Sequence, residues 1–198
     1  MTTILVINGS YRDDGITDQA IKLLTIALQS LGAEVEIALL RECHIEFCLN
    51  CRECCQQSGE SPGQCVHNDG MAKIIHQIEK ADAFVLASPT NLGSVTALYK
   101  RFMERLIVYA YWPWGANAPK FRKAVKMQKK AVLISSCAAP GLLGRFFFTT
   151  HKQLKQSAKI MGANTVGTLF TGLIAKEHPP VLPESAQRRI IKLAKKLV

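Results

Sequence analysis

Five of the seven cysteines lie in one short stretch, and cysteine is the residue type here with the widest chemistry. Cys48, Cys51 and Cys54 are separated by two residues each, and Cys65 follows after ten more. Three evenly spaced thiolates can surround one corner of an iron–sulfur cluster, and a distant fourth completes the ligand set. Four thiolates also suit Zn²⁺, and reduced thiols without a metal are the third interpretation. The spacing favours a cluster slightly and leaves all three open.

The remaining cysteines have no place in this set of four. Cys55 is a surplus thiol that a dedicated site would not need. Cys43 and Cys137 are expected to be small buried residues, as unpaired cysteines commonly are. His67 and Asp69 come just after Cys65, and we expect them on a surface turn.

A second candidate site lies near the start of the chain, where an apolar run ends in a turn. Residues 4–7 are apolar and mostly β-branched, which is typical of a strand buried on both faces. The turn that follows contains Gly9, Ser10, Arg12, Gly15 and Thr17. Glycines let a ligand approach the backbone, and hydroxyls and a helix N-terminus favour anions. The turn predicts a phosphate site, with an ordinary loop capped by Thr17 as the alternative.

Composition narrows the class of protein. The chain has 198 residues, of which 48% are hydrophobic, and this predicts a single domain over residues 1–198. No apolar run reaches the roughly 18 residues of a membrane span, and no signal peptide is evident, so we expect a cytoplasmic protein. The net charge of +10 suits anionic partners. The basic residues are typical of solvated helix faces, so a nucleic-acid partner is not expected.

Strands and helices alternate along the chain. Strands are predicted at residues 4–7, 35–39, 83–87, 131–134 and 165–171. Helices are predicted at residues 17–31, 70–80, 94–109 and 145–161, with a last helix after Pro183. The cysteine-rich segment, at about residues 43–68, is an insertion after the second strand. A long loop containing Trp112 and Trp114 follows the third helix.

This alternation predicts an α/β fold, a flavodoxin-like doubly wound parallel sheet of five strands in the order 2-1-3-4-5. In such sheets ligands bind beyond the carboxyl ends of the strands, where the strand order reverses. Those ends are residues 9–17, 88–94 and 135–144. The sequence contains no dinucleotide-binding glycine motif, phosphate-binding Walker loop or zinc-protease motif. No side chain is therefore predicted to act as a catalytic group.

Two motifs stand at the first two strand ends. The first is Gly9-Ser10-Tyr11-Arg12-x-x-Gly15-x-Thr17. The second is Ser88-Pro89-Thr90-Asn91-Leu92-Gly93-Ser94, followed by Leu98-Tyr99-Lys100-Arg101-Phe102-x-x-Arg105. In this order and separation the pair resembles the NADPH-dependent FMN reductase family, including its iron–sulfur flavoprotein branch. The order of strands and helices extends the resemblance over nearly the whole chain.

The resemblance implies an FMN site. Around the phosphate it implies Ser10, Arg12, Ile16 and Thr17. Along the edge of the isoalloxazine ring it implies Pro89, Thr90, Asn91, Leu92 and Gly93, with Ser94 closing the motif. The alternative for residues 88–94 is a loop in which Ser94 caps the next helix, and capping can coexist with cofactor binding.

Three residues of these motifs depart from the pattern, and so does the last cysteine gap. Asn91 stands where relatives often have an aromatic residue, so the usual stacking contact is either missing or supplied from elsewhere. Asp13 and Asp14 place carboxylates in the phosphate loop and would repel FMN unless they point to solvent. The iron–sulfur flavoproteins use a compact cysteine set like the one here, with a shorter final gap.

The resemblance implies an FMN-dependent oxidoreductase that takes hydride from NAD(P)H and passes electrons to a quinone, a flavin or a nitro compound. Because no segment is left over for a nicotinamide domain, NAD(P)H would stack transiently over the flavin. The alternative is an electron carrier in which FMN and a 4Fe-4S cluster relay electrons from ferredoxin, and a zinc or thiol redox sensor is a third. The apolar face of helix 94–109 suggests a homodimer or homotetramer that completes the flavin pocket.

Overall fold

A twisted parallel sheet forms the centre of the computed structural model, which describes residues 1–123, 127–140, 147–173 and 179–198. The described strands are β1 (Thr3–Asn8), β2 (Glu34–Leu39), β3 (Ala83–Ala87), β4 (Ala110–Tyr111), β5 (Lys120–Phe121), β6 (Lys129–Ser136) and β7 (Ala163–Thr171). The parallel sheet has the order β2-β1-β3-β6-β7, while β4 and β5 form a separate antiparallel pair. Because that pair lies outside the sheet, the predicted flavodoxin-like order 2-1-3-4-5 is confirmed.

Helices cover both faces of the sheet. The described helices are α1 (Ile16–Ser30), α2 (Gly70–Lys80), α3 (Ala97–Arg105), α4 (Thr150–Ile160) and α5 (Glu184–Leu197). Core side chains of α1 and α5 pack on one face, and those of α2, α3 and α4 pack on the other. Within the described ranges, no helix has the length and apolar character needed to cross a membrane.

Two helix boundaries differ from the sequence-based prediction. The helix expected at residues 94–109 begins at Ala97, because Thr96 rather than Ser94 is its N-cap, and it ends in the 3₁₀ turn Leu106–Tyr109. The start expected at Arg145 lies outside the described residues, as does the part of the 135–144 segment from residue 141 onward. The described helix α4 begins at Thr150, after two non-helical residues.

The two hydrophobic cores follow from the two-residue period of the strands. In β1, Leu5 and Ile7 join the core under α2 and α3, whereas Ile4 and Val6 join the core under α1 and α5. All four are at most 1% exposed. Each such side chain contributes about 1.5–3 kcal/mol when it leaves water, so the central strands anchor the fold.

The cysteine-rich insertion is irregular chain with one 3₁₀ turn, Glu53–Cys55. It is nevertheless anchored, because Ile45 and Cys55 are buried in the core beneath α2 and α3. Gly63 packs directly on the insertion's backbone, since a methyl group there would overlap the Cys54 carbonyl oxygen. Its N–H also donates to the Val108 carbonyl at 2.8 Å.

Gly9 is a point of close packing between β1 and α3. Its N–H donates to the Ala87 carbonyl at 2.8 Å, so the turn after β1 stays attached to β3. A methyl group at Gly9 would lie 2.8 Å from the Cβ atom of Tyr99, a side chain that is fully buried. The sequence suggested that Gly9 is needed for the close approach of a ligand. In the structure, close packing against α3 explains why a glycine is needed here.

We expect Gly9→Ala to destabilise the protein by about 1–3 kcal/mol, because the added methyl group overpacks a buried contact. Urea unfolding of the variant measures this change. Gly15→Ala is the matched control, since its methyl group would meet Arg12 Cβ at an ordinary 3.5 Å. Equal stability of the two variants would contradict the packing interpretation.

Candidate functional site

A cavity of about 350 Å³ opens at the carboxyl edge of the sheet, above the point between β1 and β3 where the strand order reverses. The residues that line it are Ser10, Tyr11, Arg12, Gly15, Ile16, Thr17, Pro89, Thr90, Asn91, Thr96, Ser136 and Pro180. The structure thus brings seven of the ten residues of the predicted cofactor site to one cavity. Leu92, Gly93 and Ser94 lie beside it, in the turn after Asn91.

One wall of the cavity is the N-terminus of α1. Gly15 is the N-cap, and no side chain of the described residues caps the first turn. Thr17 lies inside the helix, so the alternative in which it serves as the N-cap is wrong. Its hydroxyl lies 3.3 Å from the Ser136 hydroxyl, at the end of β6. N–H groups that have no side-chain cap in the described ranges therefore meet a hydroxyl at the positive end of a helix dipole.

The turn before α1 is fixed by its own hydrogen bonds. The backbone N–H of Ser10 donates to Asn8 Oδ1 at 2.9 Å, and Asn8 Nδ2 donates to Asp18 Oδ1 at 2.7 Å. The Ser10 hydroxyl is buried and bonds both the N–H and the carbonyl of Arg12, each at 3.2 Å. The loop therefore holds its shape by itself, which lowers the entropic cost of ligand binding.

The acidic residues of the turn are neutralised by cations. Asp14 pairs with Lys22 at 2.9 Å, and Asp13 pairs with Arg41 at 2.6 Å. Both carboxylates are more than two-thirds exposed, as the sequence-based interpretation required. Arg41 also lies 3.3 Å from the buried Asp18. Sequence reasoning missed Arg41, although its place just after β2 could have put it at this edge of the sheet.

The opposite wall is the segment after β3. Asn91 and Ser94 exchange two backbone hydrogen bonds, of 2.8 and 3.1 Å, and close a tight turn. Its two central residues have positive φ, 47° at Leu92 and 77° at Gly93. The turn points Leu92 away from the protein, with its side chain fully exposed. The Thr90 N–H donates to the Ser136 carbonyl at 2.7 Å, which fixes this wall to β6.

Thr96 connects the two walls. Its hydroxyl donates to the Gly9 carbonyl at 2.6 Å and accepts the Tyr99 N–H at 3.2 Å. The hydroxyl of Ser94, the residue expected as N-cap, donates instead to Gln153 at 2.9 Å. The strand-end rule could have found Ser136, but no local pattern pointed to Thr96 or Pro180.

The four cysteines of the predicted metal or redox site line a second, much smaller cavity. They are Cys48, Cys51, Cys54 and Cys65, and Ile107 closes the space behind them. The cavity measures about 20 Å³, which is about the room of one water molecule. No three His, Cys, Asp or Glu side chains in the described part of the chain are grouped closely enough to hold a metal ion. The thiols therefore share one space without converging on a single point.

Local backbone geometry explains how the loop presents its thiols. Asn50 and Arg52, on either side of Cys51, have positive φ of 53° and 64°, which turns the chain sharply at this cysteine. The Arg52 guanidinium lies 3.9 Å from the ring centre of Trp112 and 4.7 Å from that of Trp114. The tryptophan loop, whose role the sequence left open, therefore packs on the cysteine-rich insertion.

The other three cysteines, Cys43, Cys55 and Cys137, do not line this cavity. Cys55 is fully buried, and its thiol donates to the Ile107 carbonyl at 3.5 Å. Cys137 is buried, as expected, whereas Cys43 is only half-buried.

Burial raises the pKa of the Cys54 thiol to about 12, with smaller contributions from the thiols around it. Any metal bound here must therefore displace a proton from Cys54.

Asp69 is not on a surface turn, because its side chain is only 2% exposed. It caps α2 by accepting the Met71 N–H at 3.0 Å, and it forms an ion pair with Arg105 at 2.6 Å. Burial alone would raise the pKa of Asp69. The hydrogen bonds from Arg105, the Glu46 N–H and the Met71 N–H outweigh burial and hold the pKa below its ordinary value.

Comparison with known proteins gives a consistent result. A family model described as NADPH-dependent FMN reductase matches residues 2–174. An iron-sulfur flavoprotein of Archaeoglobus fulgidus is 36% identical over 108 residues, covering 53% of this chain and 46% of the relative. An iron-sulfur flavoprotein of Clostridioides difficile is 33% identical over 105 residues, covering 52% and 44%. The chain thus spans about half the length of the curated relatives it matches.

Solved structures share the fold at low sequence identity. An FMN-dependent NADH-azoreductase from Bacillus anthracis, in complex with FMN, has a TM-score of 0.72 and 14% identity, covering 100% of this chain and 99% of its own. An NAD(P)H:quinone oxidoreductase from Methanothermobacter marburgensis has a TM-score of 0.66 and 14% identity, covering 98% and 95%. These similarities concern the fold.

We expect Asp69→Asn to destabilise the protein at neutral pH by about 3 kcal/mol, because it leaves the buried Arg105 charge unpaired. Since the folded-state pKa of Asp69 lies below its ordinary value of 3.8, its contribution is present above that pH and is lost as the pH falls through the folded-state pKa. The stability gap between parent and variant should therefore narrow below about pH 4.

Urea unfolding at neutral and acidic pH measures the gap. Glu34→Gln, at an exposed carboxylate of the edge strand, is the control and should show little effect at either pH. A gap for Asp69→Asn that stays constant with pH would contradict the assignment.

Proposed function

Because the chain belongs to the NADPH-dependent FMN reductase family, we propose that it binds FMN in the cavity at the carboxyl edge of the sheet and is an NAD(P)H-dependent oxidoreductase. One observation carries the proposal. Residues from the turn after β1, the turn after β3 and the end of β6 line a single cavity at the reversal of the strand order. Flavodoxin-like sheets bind FMN at this position.

The phosphate of FMN suits the wall formed by α1. The first turn of the helix offers N–H groups without a side-chain cap among the described residues, and Thr17 adds a hydroxyl. Arg12 lines the same wall and is exposed, so its guanidinium is free to close over an anion. Because Arg41 and Lys22 neutralise the two nearby carboxylates, the repulsion that the sequence raised as a concern is small.

The isoalloxazine ring suits the wall formed by Pro89, Thr90 and Asn91. This wall is held rigidly by Thr96 and by the bond from Thr90 to β6, so it can orient a flat ring. Tyr11, half exposed at the mouth of the cavity, offers the aromatic surface that Asn91 does not. FMN supplies the hydride and electron chemistry, while the chain supplies binding and orientation.

The donor and acceptor must reach the ring from solvent. The net charge of +10 favours the approach of an anionic nicotinamide cofactor. A quinone, a free flavin or a nitro compound is the acceptor class we propose.

All seven cysteines are free thiols, which supports a cytoplasmic location.

We also propose that the protein is a homodimer or homotetramer. The apolar side chains of α3 are buried in the core or packed against it partly buried, so this helix gives less support than its sequence suggested. The support comes from Leu92, whose side chain is fully exposed beside the cavity, and from Phe47 and Leu49, which are both about two-thirds exposed. Exposed apolar side chains, of which Leu92 lies beside the flavin cavity, suit contact with a second copy that completes the pocket.

The four cysteines around one small cavity favour a second candidate function, an electron carrier that holds a 4Fe-4S cluster beside FMN and accepts electrons from ferredoxin. Their number and type fit a thiolate-bound cluster, in which each iron takes one thiolate, so the four sulfurs need not meet at a single point. The curated relatives are named iron-sulfur flavoproteins. A zinc or thiol sensor is less well supported, since the thiols do not converge as tetrahedral Zn²⁺ requires.

We expect Thr17→Ala to weaken FMN binding by about tenfold or more, because a hydrogen bond to a charged phosphate is lost. Fluorescence titration of the metal-free protein with FMN measures the affinity. Thr25→Ala, two turns further along α1, is the matched control and should bind like the parent. Unchanged affinity in Thr17→Ala would argue against a phosphate at this wall.

Anaerobic purification followed by absorption spectroscopy and iron and sulfide analysis separates the two functions. Flavin bands with NAD(P)H oxidation and no iron support the reductase alone. Flavin bands with iron and acid-labile sulfide support the carrier as well. A protein that takes up no FMN, or that oxidises no NAD(P)H when loaded, would overturn the main proposal.

A further inference from the structure

Arg105, at the end of α3, has a side chain only 1% exposed to solvent, and it touches one cysteine of the small cavity. Its Nη1 atom donates to Asp69 Oδ2 at 2.6 Å and to the Glu46 carbonyl at 2.8 Å. Its Nη2 atom donates to Asp69 Oδ1 at 3.2 Å and to Cys65 Sγ at 3.4 Å. The guanidinium therefore forms a two-point ion pair and directs one further N–H to the sulfur.

Asp69 prevents this guanidinium from rotating. The carboxylate is fixed by α2, whose Met71 N–H it accepts, and by the insertion, whose Glu46 N–H it accepts at 2.7 Å. A two-point contact with a carboxylate held in this way gives Arg105 one orientation. The direction of the N–H toward Cys65 is thus set by two other segments of the chain.

Cys65 depends on such a contact more than the other three cysteines do. Cys48, Cys51 and Cys54 belong to one short loop, whose shape is fixed locally by positive-φ residues. Cys65 comes from a separate stretch, and its neighbours Gln64 and Val66 are exposed. The Gly63 N–H bond to Val108 anchors this stretch, and the contact with Arg105 fixes the orientation of the thiol itself.

Resting on the proposed cysteine site, we propose that Arg105 is a positioning residue that holds Cys65 as the fourth thiol and donates an N–H to its sulfur. Thiolate ligands gathered around a metal carry negative charge, and a cation hydrogen-bonded to one of them offsets part of it. Such hydrogen bonds to ligand sulfur also raise the reduction potential of an iron–sulfur cluster.

The test starts from the reduced full-length chain, reconstituted anaerobically with Fe²⁺ and sulfide. The paired variant Arg105→Gln with Asp69→Asn removes both charges together, so no unpaired buried charge is left to unfold the protein. We expect it to hold the cluster about 10- to 100-fold less tightly against a chelator, and at a lower reduction potential. Arg101→Gln is the matched control, since that guanidinium lies over the Phe47 ring one turn earlier on α3.

A second comparison separates positioning from general stability. In a Cys65→Ser background, the paired variant should cause no further loss of iron, because Arg105 acts through Cys65. A further loss there, or cluster retention and potential equal to the parent in the paired variant alone, would overturn the proposal. A parent that takes up no iron and sulfide would overturn the cluster and this proposal together. FMN binding, measured in the same samples, tests the proposed FMN site independently of the cluster.

Discussion

The contact between the turn after β1 and the N-terminus of α3 is the constraint on which the site at the sheet edge depends. Gly9 approaches Tyr99 so closely that no side chain fits between them, and its carbonyl accepts the Thr96 hydroxyl at 2.6 Å. Gly9 leads into the turn that lines one wall of the cavity, and Thr96 follows the segment that lines the other. If it loosened, the helix end and the segment after β3 would lose their fixed separation, and a bound cofactor would lose its orientation.

The same helix, α3, connects this contact to the cysteine cavity. The N-cap of α3, Thr96, lines the larger cavity, and its last residue, Arg105, contacts Cys65. Nine helical residues rise by about 13 Å, so one rigid element sets the distance between the two sites. The relative position of a flavin and a metal group would thus be built into the fold, with no need for a flexible linker.

Charge is arranged differently at the two sites. Around the larger cavity, Arg41 and Lys22 pair with exposed carboxylates, and solvent weakens such pairs, so their effect is mainly to remove repulsion. At the cysteines, the Asp69–Arg105 pair is withdrawn from water, where an unpaired partner would be costly. Such a pair holds one geometry, which suits the alignment of a single sulfur atom.

The sequence by itself determined the five strands of the parallel sheet, their order and the family, since apolar periodicity and motif spacing are local properties, but it did not predict the short pair β4 and β5. It also predicted both groups of site residues, of which Ser10, Thr17 and Pro89 line one cavity and Cys48 and Cys65 another. The tertiary structure decided the contacts between distant residues. Thr96 rather than Ser94 caps α3 by accepting the Tyr99 N–H, and the same hydroxyl donates to the Gly9 carbonyl, 87 positions away. Ser136 meets Thr17 across 119 positions, and Arg105 meets Cys65 across 40. No local sequence pattern predicts such pairs, because these residues become neighbours only when the chain folds.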